Sequence, residues 1–285
     1  MSENNDGIVT SVLLEEHELL GAQMGEWRGA QRPLSYPTTE SLSERLHDGC
    51  LLADLTGTTM LFAGGEPAAS FGNAAFGGKT LSVGAAAFEA VLVGDGSVAS
   101  IPLTVRTGDH EYLAIDASPR AEMLGAWLSF LSTVEQKGYR PYDGLKTDDV
   151  SHKLVPLLLW GRSATPVLAD YVDGVNELPQ SEEVRSLLLD KRIAALTICV
   201  EVAQEPAYLM LVSPALARTL WRSMLSFESV APLGVGDFGS LFHDGLPWSR
   251  HLATEGRLEL EGKKLLAHDL LRDGRDYVGA RALFS

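Results

Sequence analysis

The 285 residues hold only two cysteines, Cys50 and Cys199. Both lie in apolar surroundings, so buried free thiols are expected rather than a disulfide or a metal pair. The seven histidines show no ligand spacing such as HExxH, and no CxxC occurs, which argues against a zinc site. Positive charge is scarce as well. Lys and Arg number 23 against 38 Asp and Glu, a formal net charge of −15. Nucleic-acid binding needs clustered Lys and Arg, so that class is set aside, and the acidity serves solubility. No apolar run approaches the ~18 residues of a membrane span; the strongest, Leu154 to Trp160, has strand length. The opening MSENNDGIVTS has neither the basic start and apolar core of a secretory signal nor the Arg-rich character of a transit peptide. A cytoplasmic protein with no membrane partner is expected. GxxxxGK[ST] and GxSxG are missing too, which removes the usual phosphate-loop and nucleophile-elbow chemistry.

What is present reads as a soluble globular chain, 45% hydrophobic and 21% charged, long enough for two subdomains. One pattern occurs twice. HEYLAIDASPRAEMLGAWLSFL (110–131) and QEPAYLMLVSPALARTLWRSMLSF (204–227) each join a Tyr-Leu apolar strand to Ser-Pro and then to a helix with a central Trp. Ser118 and Ser213 suit the N-cap, and Pro119 and Pro214 suit the first helical position, where no N–H is needed. The copies stand roughly 95 residues apart and suggest duplication of an α+β half.

In order along the chain, a first helix is expected from Thr10 or Ser11 through Met24, then a loop over Trp27 to Tyr36 and a helix over Thr39 to His47. Strands follow at Cys50 to Leu55 and Met60 to Ala63, and a short helix at Glu66 to Phe76. Ala86 to Val93 and Ser97 to Arg106 form a hairpin through Gly94-Asp95-Gly96. Lys137 to Asp149 is polar and marks a subdomain boundary. Beyond it come a strand at Leu154 to Trp160, a helix at Thr165 to Val172 and a strand at Ala194 to Val202. Arg257 to Phe284 reads as three short strands. Mixed elements without regular βαβ alternation indicate α+β, divided as 1–145, 146–250 and 251–285.

Few residues point to chemistry. GVGDFG at 234–239 does not read as standing after a strand and opening a helix, so it is taken as a plain loop. Asp148-Asp149 and Glu182-Glu183 read as solvated acids. Glu205 lies between two apolar strands, just before Pro206 and Tyr208. Such a carboxylate can grip an N–H-rich heterocycle by two hydrogen bonds, or be an exposed turn acid.

The order of the motifs carries a resemblance. LLEEHELLGAQM, then Gly29, Pro33 and Tyr36, then Asp54-Leu55-Thr56, then GAAAFEAVLVGDGSV are similar to the opening of the glycine-cleavage T-protein (aminomethyltransferase) family. LLLWGRSATPVLADYV, Gln204-Glu205-Pro206-Ala207-Tyr208 and PLGVGDFGSLFHDGLPW resemble later segments of it in the same order. The resemblance implies two related α+β subdomains around a central hole that holds tetrahydrofolate. It also implies a C-terminal β-barrel domain, of which the tail resembles only the start. It assigns folate-binding roles to Glu205, Phe88 (where the family has a tyrosine) and Tyr208, and would bring a lipoyl carrier protein as partner. It also locates departures. The family's paired aspartates, one of them catalytic, fall at Ser100 and Ile101, its asparagine at Val93, its histidine at Gly57 and its arginine near Phe238. The catalytic residue is therefore unassigned, with Asp95 and Asp116 as the carboxylates to check. A folate-binding one-carbon transferase with altered chemistry is the leading expectation. A non-enzymatic folate or small-molecule sensor is the alternative.

Overall fold

The computed structural model describes residues 9–285. The chain forms two compact units, each built from two stretches of sequence. The first takes Met1–Thr58 and Ser151–Pro247, the second Thr59–Val150 and Trp248–Ser285. The sequence reading divides the chain consecutively; the units interleave instead. Helices and largely antiparallel sheets make up both. No helix among the described residues is long and apolar enough to cross a membrane.

The first unit is built on a six-stranded sheet, in the order Glu183–Leu189, Ile193–Val202, Glu205–Val212, Val155–Trp160, Cys50–Asp54, Val230–Leu233. Its neighbours are antiparallel except the last pair. The central strands are continuous apolar runs because both faces are buried. One face carries Cys50, Leu52, Leu157, Leu159, Tyr208, Met210 and Val212, packed with Leu168, Leu220 and Trp221 from the helices Ala164–Ala169 and Pro214–Met224. Beside it, Gln23–Trp27 and Ala30–Ser35 form an antiparallel hairpin. The helix expected through Met24 therefore ends early, at Leu19. Gly21, at φ +73°, turns the chain out of the helix, and Leu20 and Met24 serve different elements.

Three of the resemblance motifs, those of His17, Tyr36 and Asp54-Leu55-Thr56, meet in this unit in a buried polar network. Asp54 is fully buried; its Oδ2 accepts from Ser11 Oγ at 2.6 Å and from His17 Nε2 at 3.1 Å. Its Oδ1 accepts from the Thr56 N–H at 2.9 Å and the Thr56 hydroxyl. His17 Nδ1 accepts from the Tyr36 hydroxyl at 2.8 Å. Arg32, also fully buried, donates Nε to the Thr56 carbonyl. Burial pushes the Asp54 carboxyl up, but the bond from His17, the charge of Arg32 and the bond from Ser11 outweigh it. They hold Asp54 well below the usual carboxylate range.

The second unit holds a five-stranded antiparallel sheet, in the order Lys146–Asp149, Thr59–Gly64, Glu111–Asp116, Leu103–Gly108, Ala86–Phe88. The helices Ala68–Ala75 and Ala121–Ser132 bury Phe71, Leu124, Leu128 and Leu131 against it. Val91–Leu92 pairs with Val98–Ser100 across the Gly94-Asp95-Gly96 turn. The tail differs from the three strands and barrel start expected of it. It forms a 3₁₀ helix at Pro247–Ala253 and short helices at Gly262–Ala267 and Ala280–Leu283. The sequence GKKLLA suits a helix, and the tail is held by single backbone ties rather than a ladder. Val98 N–H reaches the Leu258 carbonyl at 2.8 Å, and Ala90 N–H the Leu270 carbonyl at 2.9 Å. Arg272 donates to the carbonyls of Phe76 and Gly78 at 2.8 Å each and of Asn73 at 2.6 Å.

Candidate functional site

Glu205 opens the strand Glu205–Val212 at one end of the first unit's sheet. A two-residue turn delivers it: Ala203 and Gln204 both have positive φ, +55° and +64°. Left-handed backbone of this kind suits Asn-Gly, and two residues with side chains in it are strained. Beside Glu205, the strand Val155–Trp160 ends in Gly161, whose N–H donates to the Pro206 carbonyl at 3.0 Å. Gly161 has φ +135°, and a Cβ there would lie 2.7 Å from the Gly49 carbonyl oxygen and 2.8 Å from the Leu46 carbonyl oxygen. Only glycine allows so close an approach to the end of the helix Leu42–Asp48. Arg162 N–H donates to the Leu46 carbonyl at 3.0 Å and Ser163 N–H to the Gly49 carbonyl at 2.9 Å. The packing brings His47, in that helix's last turn, to Glu205: His47 Nδ1 lies 2.9 Å from Glu205 Oε1. The Glu205 side chain is 12% exposed and that of His47 52%. Glu205 Oε2 bonds no described residue.

The strand separates Tyr208 from Glu205. Side chains alternate along it, so Glu205 and Tyr208 project from opposite faces. Tyr208 lies in the core with Met210 and Val212, and its hydroxyl pairs with Thr165 Oγ1 at 2.9 Å. Burial pushes its phenol up to about 12. A cleft of about 280 Å³ lies on the Tyr208 face, walled by Leu178, Pro179, Cys199 and Pro206 among others. Phe88 stands in the second unit, half-buried, with its ring edge-on to Trp248 at 5.3 Å.

The other candidates have structural duties. Asp95 accepts from the Ser97 N–H and hydroxyl at 2.9 and 2.7 Å, and these bonds hold its exposed carboxyl below the usual range. It is a turn residue. Asp116 is buried; it accepts from Ser100 Oγ at 2.6 Å and from the Ser118 N–H at 2.7 Å, ahead of the helix Ala121–Ser132. Ser100 is thus bonded to a carboxylate brought by another strand. Cys50 and Cys199 are free and buried, and burial pushes their thiols up to about 12 and about 11. Neither is an activated nucleophile. Among the described residues no group of three His, Cys, Asp or Glu could hold a metal ion.

GVGDFG corrects the sequence reading. It does follow a strand, Val230–Leu233, and it opens the helix Val235–Gly245. Its glycines are nevertheless used for packing. A Cβ on Gly234 would collide with the Leu34 carbonyl, and one on Gly236 would lie 2.9 Å from the same oxygen. His47 and Glu89 escaped the sequence reading. Glu89, in the second unit, is 2% exposed, and its Oε1 lies where a Cβ on Gly78 would stand. Burial pushes it up to about 8, although the Thr104 hydroxyl and the charges of Arg272 and Lys79 pull it down.

No family model and no curated protein matches the chain. Solved structures do. The glycine cleavage system aminomethyltransferase T from Bartonella henselae superposes with a TM-score of 0.75 over 97% of this chain and 74% of that one, at 20% identity. A heterotetrameric sarcosine oxidase from Corynebacterium sp. U-96, in complex with pyrrole 2-carboxylate, matches with a TM-score of 0.43 over 75% of this chain and 92% of that one, at 15% identity. The fold is similar to that of the aminomethyltransferase.

Proposed function

We propose that the protein binds tetrahydrofolate, with Glu205 receiving N–H groups of the pterin ring, and that it serves one-carbon transfer with chemistry altered from glycine cleavage. The observation that carries this reading is the Glu205 corner. It presents a largely buried carboxylate, held by a strained turn and a glycine contact, with one oxygen that no described residue bonds. An acceptor with an unused oxygen suits a heterocycle that offers adjacent N–H donors. The likeness of fold to an aminomethyltransferase over nearly the whole chain supports the same ligand class. Bound tetrahydrofolate would supply the acceptor or carrier of the one-carbon unit. Glu205 would orient it. Tyr208 has no part in this reading, since its hydroxyl and ring are used in the core.

A second reading, binding without catalysis, is favoured by one observation. The carboxylate nearest the replaced family aspartates, Asp116, is buried and engaged through both oxygens.

Calorimetry with tetrahydrofolate, on the wild type and on Glu205→Ala, tests the proposal. Saturable binding that the variant loses is expected. An affinity unchanged in Glu205→Ala removes the carboxylate's role, and no binding to wild type removes the folate reading.

A further inference from the structure

We propose that His47 is the positioning residue of the Glu205 site, and that ligand capture there is linked to the proton on His47. The inference rests on the reading that Glu205 receives the ligand.

An ionised carboxylate only accepts hydrogen bonds, so the 2.9 Å contact requires the hydrogen on His47 Nδ1. That fixes the tautomer and turns Nε2 outward on a side chain that is half exposed. The bond also fixes Glu205. With Oε1 tied to the imidazole, the carboxylate cannot rotate freely, and Oε2 is left to a ligand. The two residues are 158 positions apart, and their alignment depends on backbone geometry on both sides. The positive φ of Ala203 and Gln204 sets the start of the Glu205 strand. Contacts of Gly161, Arg162 and Ser163 with the carbonyls of Leu46 and Gly49 set the end of the His47 helix.

The pair has two charge states. Neutral His47 leaves the carboxylate its full negative charge for ligand N–H donors. Protonated His47 makes an ion pair that draws on the same charge, so an N–H-donating, uncharged heterocycle binds less well. Linkage makes the effect reciprocal, and the ligand must lower the proton affinity of His47. Other charges stand around the corner. Arg45 and Asp48 share the helix of His47; Arg45 is engaged by Glu40 at 3.4 Å and by the Glu228 carbonyl at 2.6 Å. Arg162 follows the Gly161 turn, and Glu201 projects from the opposite face of the sheet. Among the described residues Glu205 is the one ionic partner of His47.

The test uses the full chain labelled with 15N. The imidazole signals of His47, identified by their loss in His47→Asn, are followed through a pH titration with and without tetrahydrofolate, in wild type and in Glu205→Ala. Tetrahydrofolate affinity is measured in parallel at pH 5.5 and pH 8 for wild type and His47→Asn, whose amide N–H can replace Nδ1–H without titrating. Neutral His47 should carry its hydrogen on Nδ1 in wild type and lose that preference in Glu205→Ala. Wild-type affinity should rise severalfold from the lower pH to the higher. His47→Asn should bind at both pH values with a flat profile. An Nε2–H tautomer in wild type, or the same pH slope in His47→Asn, overturns the inference and leaves the folate reading standing. No binding to wild type at either pH removes the folate reading and the linkage with it. The tautomer in the free protein then upholds or overturns the positioning role by itself.

Discussion

Two carboxyls are buried almost equally, one in each unit, and they have moved in opposite directions. Asp54 is at 0% exposure and Glu89 at 2%. Asp54 has Ser11, His17 and two donors from Thr56 around its oxygens, with Arg32 close by, and is held far below its ordinary value. Glu89 has the Thr104 hydroxyl and two cationic neighbours, and burial carries it up to about 8. Burial alone therefore does not decide the charge state; the number of donors aimed at the oxygens does. The consequence for stability has opposite sign in the two units. Asp54 has a depressed folded-state value, so its stabilisation is complete above the ordinary aspartate value of 3.8 and is lost as pH falls below it. Glu89 has a raised one, so the folded state holds a proton that the unfolded state has released. Stability falls as pH rises from 4.5 to about 8 and then levels off.

The largest effect should come from breaking the first site. Asp54→Ala leaves His17, Ser11 and Thr56 without their acceptor and the buried Arg32 without its counter-charge, and should cost about 3–5 kcal/mol in urea unfolding at neutral pH. If the loss is under about 1 kcal/mol, the network is not what holds the first unit together. Next is the pH slope of the second site. Glu89→Gln keeps the shape and removes the titration. It should abolish a wild-type loss of at most about 1.4 kcal/mol per pH unit across the window from 4.5 to 8. Hydrogen exchange in the strand Leu103–Gly108 against pH would report it, and identical slopes in the two proteins would mean that Glu89 is ionised in the fold. Ser11→Ala takes one donor from Asp54 and should cost about 1–2 kcal/mol, with the acid transition moving to higher pH. The smallest change is a control in the first unit away from the acid. Gln204→Gly relaxes one positive φ and should stabilise by about 0.5–1 kcal/mol with no change in pH dependence.

The same contrast explains what the sequence made legible. Local signals read well. The turn at Gly94-Asp95-Gly96 is there, and the helix expected over Thr39 to His47 is present as Leu42–Asp48, capped by Ser41. Ser213 and Pro214 open one helix at the expected positions, while Ser118 accepts from the Arg120 N–H a turn earlier than its helix begins. The two tryptophans of the repeated pattern have different surroundings. Trp221 is fully buried, edge-on to His17 at 5.1 Å, and Trp127 is half-buried against Phe130. Glu205 was visible because a lone acid between apolar strands stands out. Its partner His47 was not, because no periodicity connects residues 158 apart. Tyr208 stands three residues after Glu205, and the two-residue period of a strand puts it on the other side. The strand before GVGDFG, Val230–Leu233, is hard to read from sequence because it is four residues long and contains a proline.

The interleaved layout of the two units bears on how the chain is made. The strand Cys50–Asp54 takes its parallel neighbour from Val230–Leu233, and the hairpin beginning at Ala86 takes its ties from Leu258 and Leu270. During synthesis the segment ending at Thr58 leaves the ribosome long before its partners in 151–247 exist, and the second unit is started and left open in between. Vectorial, unit-by-unit folding is closed to such a chain. The strand Cys50–Asp54 must wait, with an apolar edge uncovered, until Val230–Leu233 has been translated. Fragments ending near residue 150 should accordingly be far more dependent on chaperones than the finished protein.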